Sequence, residues 1–284
     1  MRRIETILAY ADLVQAFKTS HATVWTNCFM LPAEIERNIV KKRMRVTADL
    51  ENLLIWIAEE YCDRLYYYTA TLEPLDKQAF AEFAGKGRPV ALDIVTKHLA
   101  AGAESTVEAK WKRSGFGLHS VYQRMTVSAA NAAACLLSAA PKSDAPAVRT
   151  LDESRIPEIL GLWRICLDSV SIARPDADKL RELMAQNRVL YIISRENVLC
   201  AAMVSLPEGK KAAIDHVAVH PSYRRQGLAR ALVVSAMQRD LQNGVDSFYL
   251  WVDHANEPAI RLYEELGFTP DGTQSRLFIL KQPV

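Results

Sequence analysis

Two stretches in the last third of the chain combine residue types whose chemistry is recognisable from spacing alone. The first is the run Ile214-Asp215-His216-Val217-Ala218-Val219, which leads into His220-Pro221-Ser222-Tyr223-Arg224-Arg225-Gln226-Gly227-Leu228-Ala229. A β-branched run that enters a short loop with a glycine and then a Leu/Val/Ala-rich helix makes an anion site. The helix start has N–H groups without intrahelical acceptors, and they point at the loop. Arg224 and Arg225 add positive charge beside it. A diphosphate is the natural occupant. Neither a Gly-x-x-x-x-Gly-Lys loop nor a Gly-x-Gly-x-x-Gly fingerprint is present. The second stretch runs from Leu250 to Phe268. In it Asn256 is placed to cap a helix, Pro258 suits the first turn and Gly267 the end. Tyr263 then offers a phenol about two turns into that helix.

The elements that must position these groups follow from periodicity. Residues 152–168 carry Ile156, Ile159, Leu160, Trp163 and Leu167 on one helical face, and 176–187 form a second helix that Asp176 caps. Residues 189–194 and 198–205 are β-rich runs joined by Arg195-Glu196-Asn197, a hairpin signal. Strand 212–219, helix 227–241, strand 247–252, helix 257–266 and strand 274–280 complete the order. Upstream of all these, residues 138–147 hold two prolines among small and polar residues, the texture of a linker. One domain is expected at 1–140 and another at 147–284.

Composition excludes several classes of function. The chain has 284 residues, half of them hydrophobic and 24% charged, which suits globular domains and not a disordered or fibrous chain. A formal charge of +2 gives no reason to expect nucleic acid or a membrane surface as partner. Cys28, Cys62, Cys135, Cys166 and Cys200 form no Cys-x-x-Cys pair, and no His or Cys recurs at zinc spacing, so no metal is expected. Scattered thiols and an N-terminus without an apolar signal core fit a cytoplasmic protein. The small-residue run 129–140 is too short to span a bilayer.

The segments Val217-Ala218-Val219 … Arg224-x-x-Gly227-x-Ala229 and Asn256-x-x-Ala259-x-x-Leu262-Tyr263-x-x-x-Gly267-Phe268 resemble two motifs of the GCN5-related N-acetyltransferase (GNAT) superfamily, in the family's order. The resemblance covers residues 147–284. It implies a mixed α/β (α+β) fold, with a mostly antiparallel sheet flanked by helices, and a V-shaped opening between the third and fourth strands of this half. Acetyl-CoA would lie there as co-substrate. Backbone groups of Val217, Ala218 and Val219 would pair with its pantetheine arm. Arg224 and the N–H groups of Arg225, Gln226, Gly227, Leu228 and Ala229 would hold its diphosphate, and Asn256 would bond the pantetheine. Tyr263 would protonate the leaving thiolate, and the primary amine of a small molecule, amino acid or peptide would attack directly. The family's base projects from the strand before the loop. Simple alternation puts Ala213, Asp215, Val217 and Val219 on one face, with Ile214, His216 and Ala218 on the other. Asp215 is therefore the candidate base and His216 should point away from the cleft, although the Glu common in the family here is missing. A half-buried strand acid is equally a structural partner. Transfer of a longer acyl chain, and a CoA-binding sensor without chemistry, stay open as alternatives.

The first half echoes the second without gaps. Trp111-Lys-Arg-Ser-Gly-Phe116 parallels Tyr263-Glu-Glu-Leu-Gly-Phe268 at an offset of 152 residues, which also links Arg124 to Arg276. Residues 53–58 and 64–70 resemble the hairpin 189–205, and 90–96 stands where 247–252 stands. No Arg-x-x-Gly-x-Ala loop lies between Ala70 and Val90, where Gly85-Lys86-Gly87 precedes a strand. Trp111 replaces the tyrosine and Glu104 the asparagine. The expectation is a degenerate GNAT-like domain without a cofactor loop, giving two acyl-CoA N-acyltransferase-like domains in tandem. The run Lys41-Lys42-Arg43-Met44-Arg45 reads as a solvated helix face. Tyr66-Tyr67-Tyr68 reads as a strand with one or two rings in a core, and Trp25, Trp56 and Trp163 read as core.

Overall fold

The computed structural model describes residues 2–76, 80, 87–98, 103–138, 147–150 and 152–280. The elements run β1 (Arg2–Arg3), α1 (Ile7–Ser20), β2 (Trp25–Thr26), α2 (Pro32–Val40), β3 (Met44–Ala48), β4 (Asn52–Ala58), β5 (Asp63–Thr69), β6 (Val90–Lys97), α3 (Thr106–Arg113) and β7 (Gly117–Ser128). There follow α4 (Ala129–Ser138), α5 (Ile156–Cys166), α6 (Ala177–Ala185), β8 (Val189–Ile193), β9 (Leu199–Glu208), β10 (Lys211–Val219), α7 (Leu228–Gln242), β11 (Ser247–Asp253), α8 (Glu257–Glu265) and β12 (Thr269–Leu280).

The chain forms two compact units, Met1–Val121 with Thr273–Val284, and Tyr122–Gly272. These do not follow the expected boundaries of 1–140 and 147–284, because each repeat gives its last strand away. Residues 122–128 of β7 pair antiparallel with β11 in the second unit, and residues 273–280 of β12 pair antiparallel with β6 in the first. The expected linker lies largely outside the described residues. Ser138, at its start, ends helix α4, and Ala132 of that helix is buried in the second unit's core.

In the second unit the sheet order is β7-β11-β10-β9-β8, antiparallel except for β10 beside β11. One face packs against α7 and α8 through Leu232, Val233, Met237, Phe248, Leu250 and Phe268. The other packs β8, β9 and part of β10 against α5 and α6 through Ile159, Trp163, Leu180, Met184, Ala202 and Val204. Trp163 is wholly buried, and truncating such a ring typically costs about 3–5 kcal/mol. Local chemistry fixes the helix starts: Asp176 accepts from the Lys179 N–H at 3.1 Å and Asn256 from the Ala259 N–H at 3.3 Å.

The first unit places β1, β3, β4, β5, β6 and β12 in sheet order. The hairpin β4–β5 leads to a parallel strand, β6, as β9–β10 leads to β11. It therefore corresponds to β9–β10, one strand further on than the expected match to 189–205. The displaced strand is β3. Lys41 and Lys42 form the turn after α2, but Met44 is buried and starts a strand, so the basic run is no helix face. Ser105, one residue after Glu104, caps α3 with Glu108 as its reciprocal partner, while Glu104 pairs with Lys112 at 2.9 Å. Tyr67 and Tyr68 are core, as are Trp56 and Trp163, whereas Trp25 is only half-buried. Gly85 and Lys86 lie outside the described residues.

Candidate active site

Strands β10 and β11 are paired only where Lys211, Ala212 and Ala213 face Ser247, Phe248 and Tyr249. Beyond that point they part. β10 stays with β9 as far as Val219, and β11 stays with β7 as far as Asp253. The edge of β10 from Ile214 onward thus faces an opening with no strand partner among the described residues. This is the V-shaped gap expected between the third and fourth strands of that half.

The loop after β10 ends at Gly227, which caps α7 with φ 78° and contributes no side-chain hydrogen bond. A Cβ built there would meet nothing within 4 Å, and Arg224, Arg225, Gln226 and Gly227 are all exposed. Arg225 has φ 61°, so two left-handed residues turn this backbone outward. Among the described residues, the amides of Arg225, Gln226, Gly227, Leu228 and Ala229 donate to no protein acceptor. Successive unpartnered amides at a helix start, with Arg225 beside them, fit a phosphate-bearing ligand. Arg224 behaves differently: its Nε donates to the Val219 carbonyl at 3.3 Å, which also accepts from Cys166 Sγ at 3.4 Å. That carbonyl, expected for pantetheine, is already engaged.

Tyr263 sits on α8 in the core beneath α7, and its ring lies 6.0 Å from that of Phe268. Its hydroxyl makes no hydrogen bond among the described residues. Burial, with the charge of Asp215 adding, pushes its pKa well above the ordinary value, so the phenol keeps its proton. Asn256 is exposed, and only its side-chain oxygen is used by the cap.

Asp215 and His216 depart from simple alternation. A β-bulge lies between Asp215 and Ala218, and His216 has φ 52°. The extra residue reverses the pattern downstream. Ile214 and Val217 pack on the α7 side, whereas Ala218 packs on the α5–α6 side. Asp215 therefore does not share a face with Val217 and Val219. His216 packs against Asp215, Ala173 and Trp163. Its Nδ1 stands 3.0 Å from Asp215 Oδ1, its Nε2 lies 3.2 Å from the Ala173 carbonyl, and its ring is 5.1 Å from Trp163. The His216 N–H donates to the same Oδ1 at 2.8 Å. Burial disfavours the imidazolium, but Asp215 reverses this and the His216 pKa lies above its usual value. Burial also opposes the Asp215 charge. The His216 charge and hydrogen bonds outweigh it and hold the carboxyl below its usual range.

Sequence reasoning missed Tyr249 and Trp251. Phe248, Leu250 and Val252 turn into the α7 core, so Tyr249 and Trp251 lie on the opposite face, the face of Asp215. That alternation is visible in Ser247-Phe-Tyr-Leu-Trp-Val-Asp253 once the strand is placed. Among the described residues no group of His, Cys, Asp or Glu could hold a metal ion, and no helix is long and apolar enough to cross a membrane.

The first unit contains a matching gap, and it is filled. β5 and β6 pair only at Asp63–Val90 and Arg64–Ala91 before parting. Along the freed edge of β5, Trp25 and Thr26 of β2 pair with Thr69 and Tyr68. Between them, the buried Asn27 side chain donates to the Leu65 and Asp93 carbonyls at 3.1 and 3.0 Å and accepts from the Tyr67 N–H at 2.8 Å.

Residues 157–268 match the acetyltransferase (GNAT) family model. A mycothiol acetyltransferase of Thermobispora bispora is 47% identical over 53 residues, 19% of this chain and 18% of that protein. A ribosomal-protein-alanine N-acetyltransferase of Escherichia coli is 43% identical over 58 residues, 20% of this chain and 39% of its own length. The chain therefore spans well under half the length of either relative. The solved structure of a tandem GNAT protein from the clavulanic acid biosynthesis pathway superposes with a TM-score of 0.59 over 99% of this chain and 96% of that one, at 13% identity. That likeness is one of fold. The chain thus carries, over residues 157–268, a segment that matches the GNAT acetyltransferase family model.

Proposed function

We propose that residues 147–284 transfer the acetyl group of acetyl-CoA to a primary amine of a small molecule, amino acid or peptide. The observation that carries this reading is an unpaired edge of β10 that leads into five successive amides with no protein acceptor among the described residues. The β10 edge at Val217–Val219, apart from the Val219 carbonyl that Arg224 and Cys166 already use, would take the pantetheine arm as an added strand. The amides of Arg225 through Ala229 would hold the diphosphate, and Asn256 would bond the pantetheine amide. The co-substrate supplies the thioester. Asp215, directly or through water, would take the proton that the amine loses as the C–N bond forms. Tyr263 would give its proton to the sulfur as the C–S bond breaks. No enzyme nucleophile is needed. We further propose that the first unit, whose matching gap is filled by its own Asn27, offers no cofactor site.

The test is release of CoA thiol from acetyl-CoA, followed against a panel of primary amines. The reading expects thiol release that depends on an amine, with one acetylated amine per thiol. Tight binding of acetyl-CoA without turnover on any amine would instead support a sensor.

A further inference from the structure

The amine side of the opening has its own built surface. On the sheet face away from α7 and α8, the α5–α6 layer covers β8, β9 and part of β10. Beyond it lie Asp215 on β10 and Tyr249 and Trp251 on β11, with Thr126 and Arg124 of β7 directly opposite the two rings. Tyr249 is half-buried, and Trp251 keeps 37% of its surface accessible. Arg124 is already committed. Its Nε and Nη2 lie 2.7 and 2.6 Å from Asp271 Oδ2, and its guanidinium stands 5.8 Å from the Trp251 ring centre. The contacts of Asp215 all use Oδ1, which leaves Oδ2 without a hydrogen bond among the described residues. The Tyr249 hydroxyl likewise has none. Burial, with Glu208 and Asp215 adding, raises its pKa, so the phenol is neutral. This strip thus offers two oxygens without a hydrogen bond among the described residues, Asp215 Oδ2 and Tyr249 Oη, beside an accessible indole, with His216 against Oδ1 and Arg124 paired to Asp271.

Resting on the acetyl-transfer reading, we propose that this strip is the acceptor subsite. Asp215 Oδ2 and Tyr249 Oη accept hydrogen bonds from the protonated amino group, and Trp251 carries the apolar body of the acceptor. The class of substrate is an arylalkylamine, or a peptide whose first residue is aromatic. A polyamine has too little apolar surface to use the indole, and an acceptor with an acid group near the amine meets Asp215 and Glu208. The protein groups that loaded the opposite face for the co-substrate take no part in this choice.

The experiment uses the full chain with CoA bound and follows the Trp251 indole N–H by nitrogen-15 NMR, identified by its loss in Trp251→Phe. Phenethylamine is the probe, with butylamine and 3-phenylpropionate as comparators. The expected result is a saturable shift with phenethylamine, at about tenfold lower concentration than butylamine, and none with 3-phenylpropionate. Asp215→Asn should weaken the phenethylamine response about tenfold or more, and Tyr249→Phe by several-fold, with CoA affinity unchanged in both. Equal response to 3-phenylpropionate, or no saturable shift with any probe, overturns the assignment. If phenethylamine saturates the signal but is never acetylated, the subsite stands and the transfer reading fails.

Discussion

The two units are built on the same break between parallel strands and use it in opposite ways. In the second, β10 and β11 part after Ala213 and Tyr249, and among the described residues five amides at the loop and helix start, Asp215 Oδ2 and the hydroxyls of Tyr249 and Tyr263 make no hydrogen bond. In the first, β5 and β6 part after Arg64 and Ala91, and polar side chains of the unit itself close the break. Asn27 bridges both strands, and Arg64 pairs with Glu59 and Asp93 at 3.1 and 2.9 Å. The buried Lys110 donates to Asn52, Thr69 and Thr71, each at 3.0 Å, and burial lowers its pKa to about 8. The turn after the last helix is nonetheless the same in both. The Phe116 N–H reaches the Trp111 carbonyl and the Phe268 N–H the Tyr263 carbonyl, each at 3.0 Å, across a left-handed glycine. The same scaffold thus leaves polar groups open in one unit and bonds them in the other; unsatisfied groups are costly, and such groups commonly persist where a ligand completes them.

The largest expected effect breaks the open side of this comparison. Gly227→Glu puts a carboxylate beside the loop amides. No atom lies within 4 Å of the new Cβ, so the fold should survive at about 1–2 kcal/mol for the left-handed backbone. Acetyl-CoA affinity should fall by roughly 100-fold or more, measured by calorimetry with circular dichroism unchanged. Next comes Tyr263→Phe, which removes a hydroxyl that stabilises nothing in the described structure. Turnover should drop about 10²–10⁴-fold with acetyl-CoA affinity intact, as rapid-mixing kinetics and equilibrium binding would show. The smallest effect falls on the filled side. Asn27→Ala strands the Leu65 and Asp93 carbonyls and the Tyr67 N–H. Urea unfolding should register a loss of about 2–4 kcal/mol, with the cofactor stoichiometry unchanged.

What sequence could and could not convey follows from the range of the interactions involved. Helix ends are local, so Asp176, Asn256 and Gly267 could be placed from their immediate neighbours. The parting of β10 from β11 followed from family motifs and not from periodicity. The bulge at His216 was not legible, because alternation assumes an unbroken pleat and one extra residue reverses every face beyond it. The exchange of β7 and β12 left no trace either. Strands that are equivalent in a repeat satisfy the same pattern on either neighbour. Asn27 is the extreme case: its partners lie 38, 40 and 66 residues away, and an asparagine between Thr26 and Cys28 carries no mark of what it fills.

We propose that the break between β10 and β11 holds the co-substrate and that the chain itself closes the break between β5 and β6. Calorimetric titration of the full-length protein with acetyl-CoA tests it most directly. One molecule bound per chain, and none in Gly227→Glu, is the result this account predicts. Two molecules per chain, or one retained by Gly227→Glu, would contradict it.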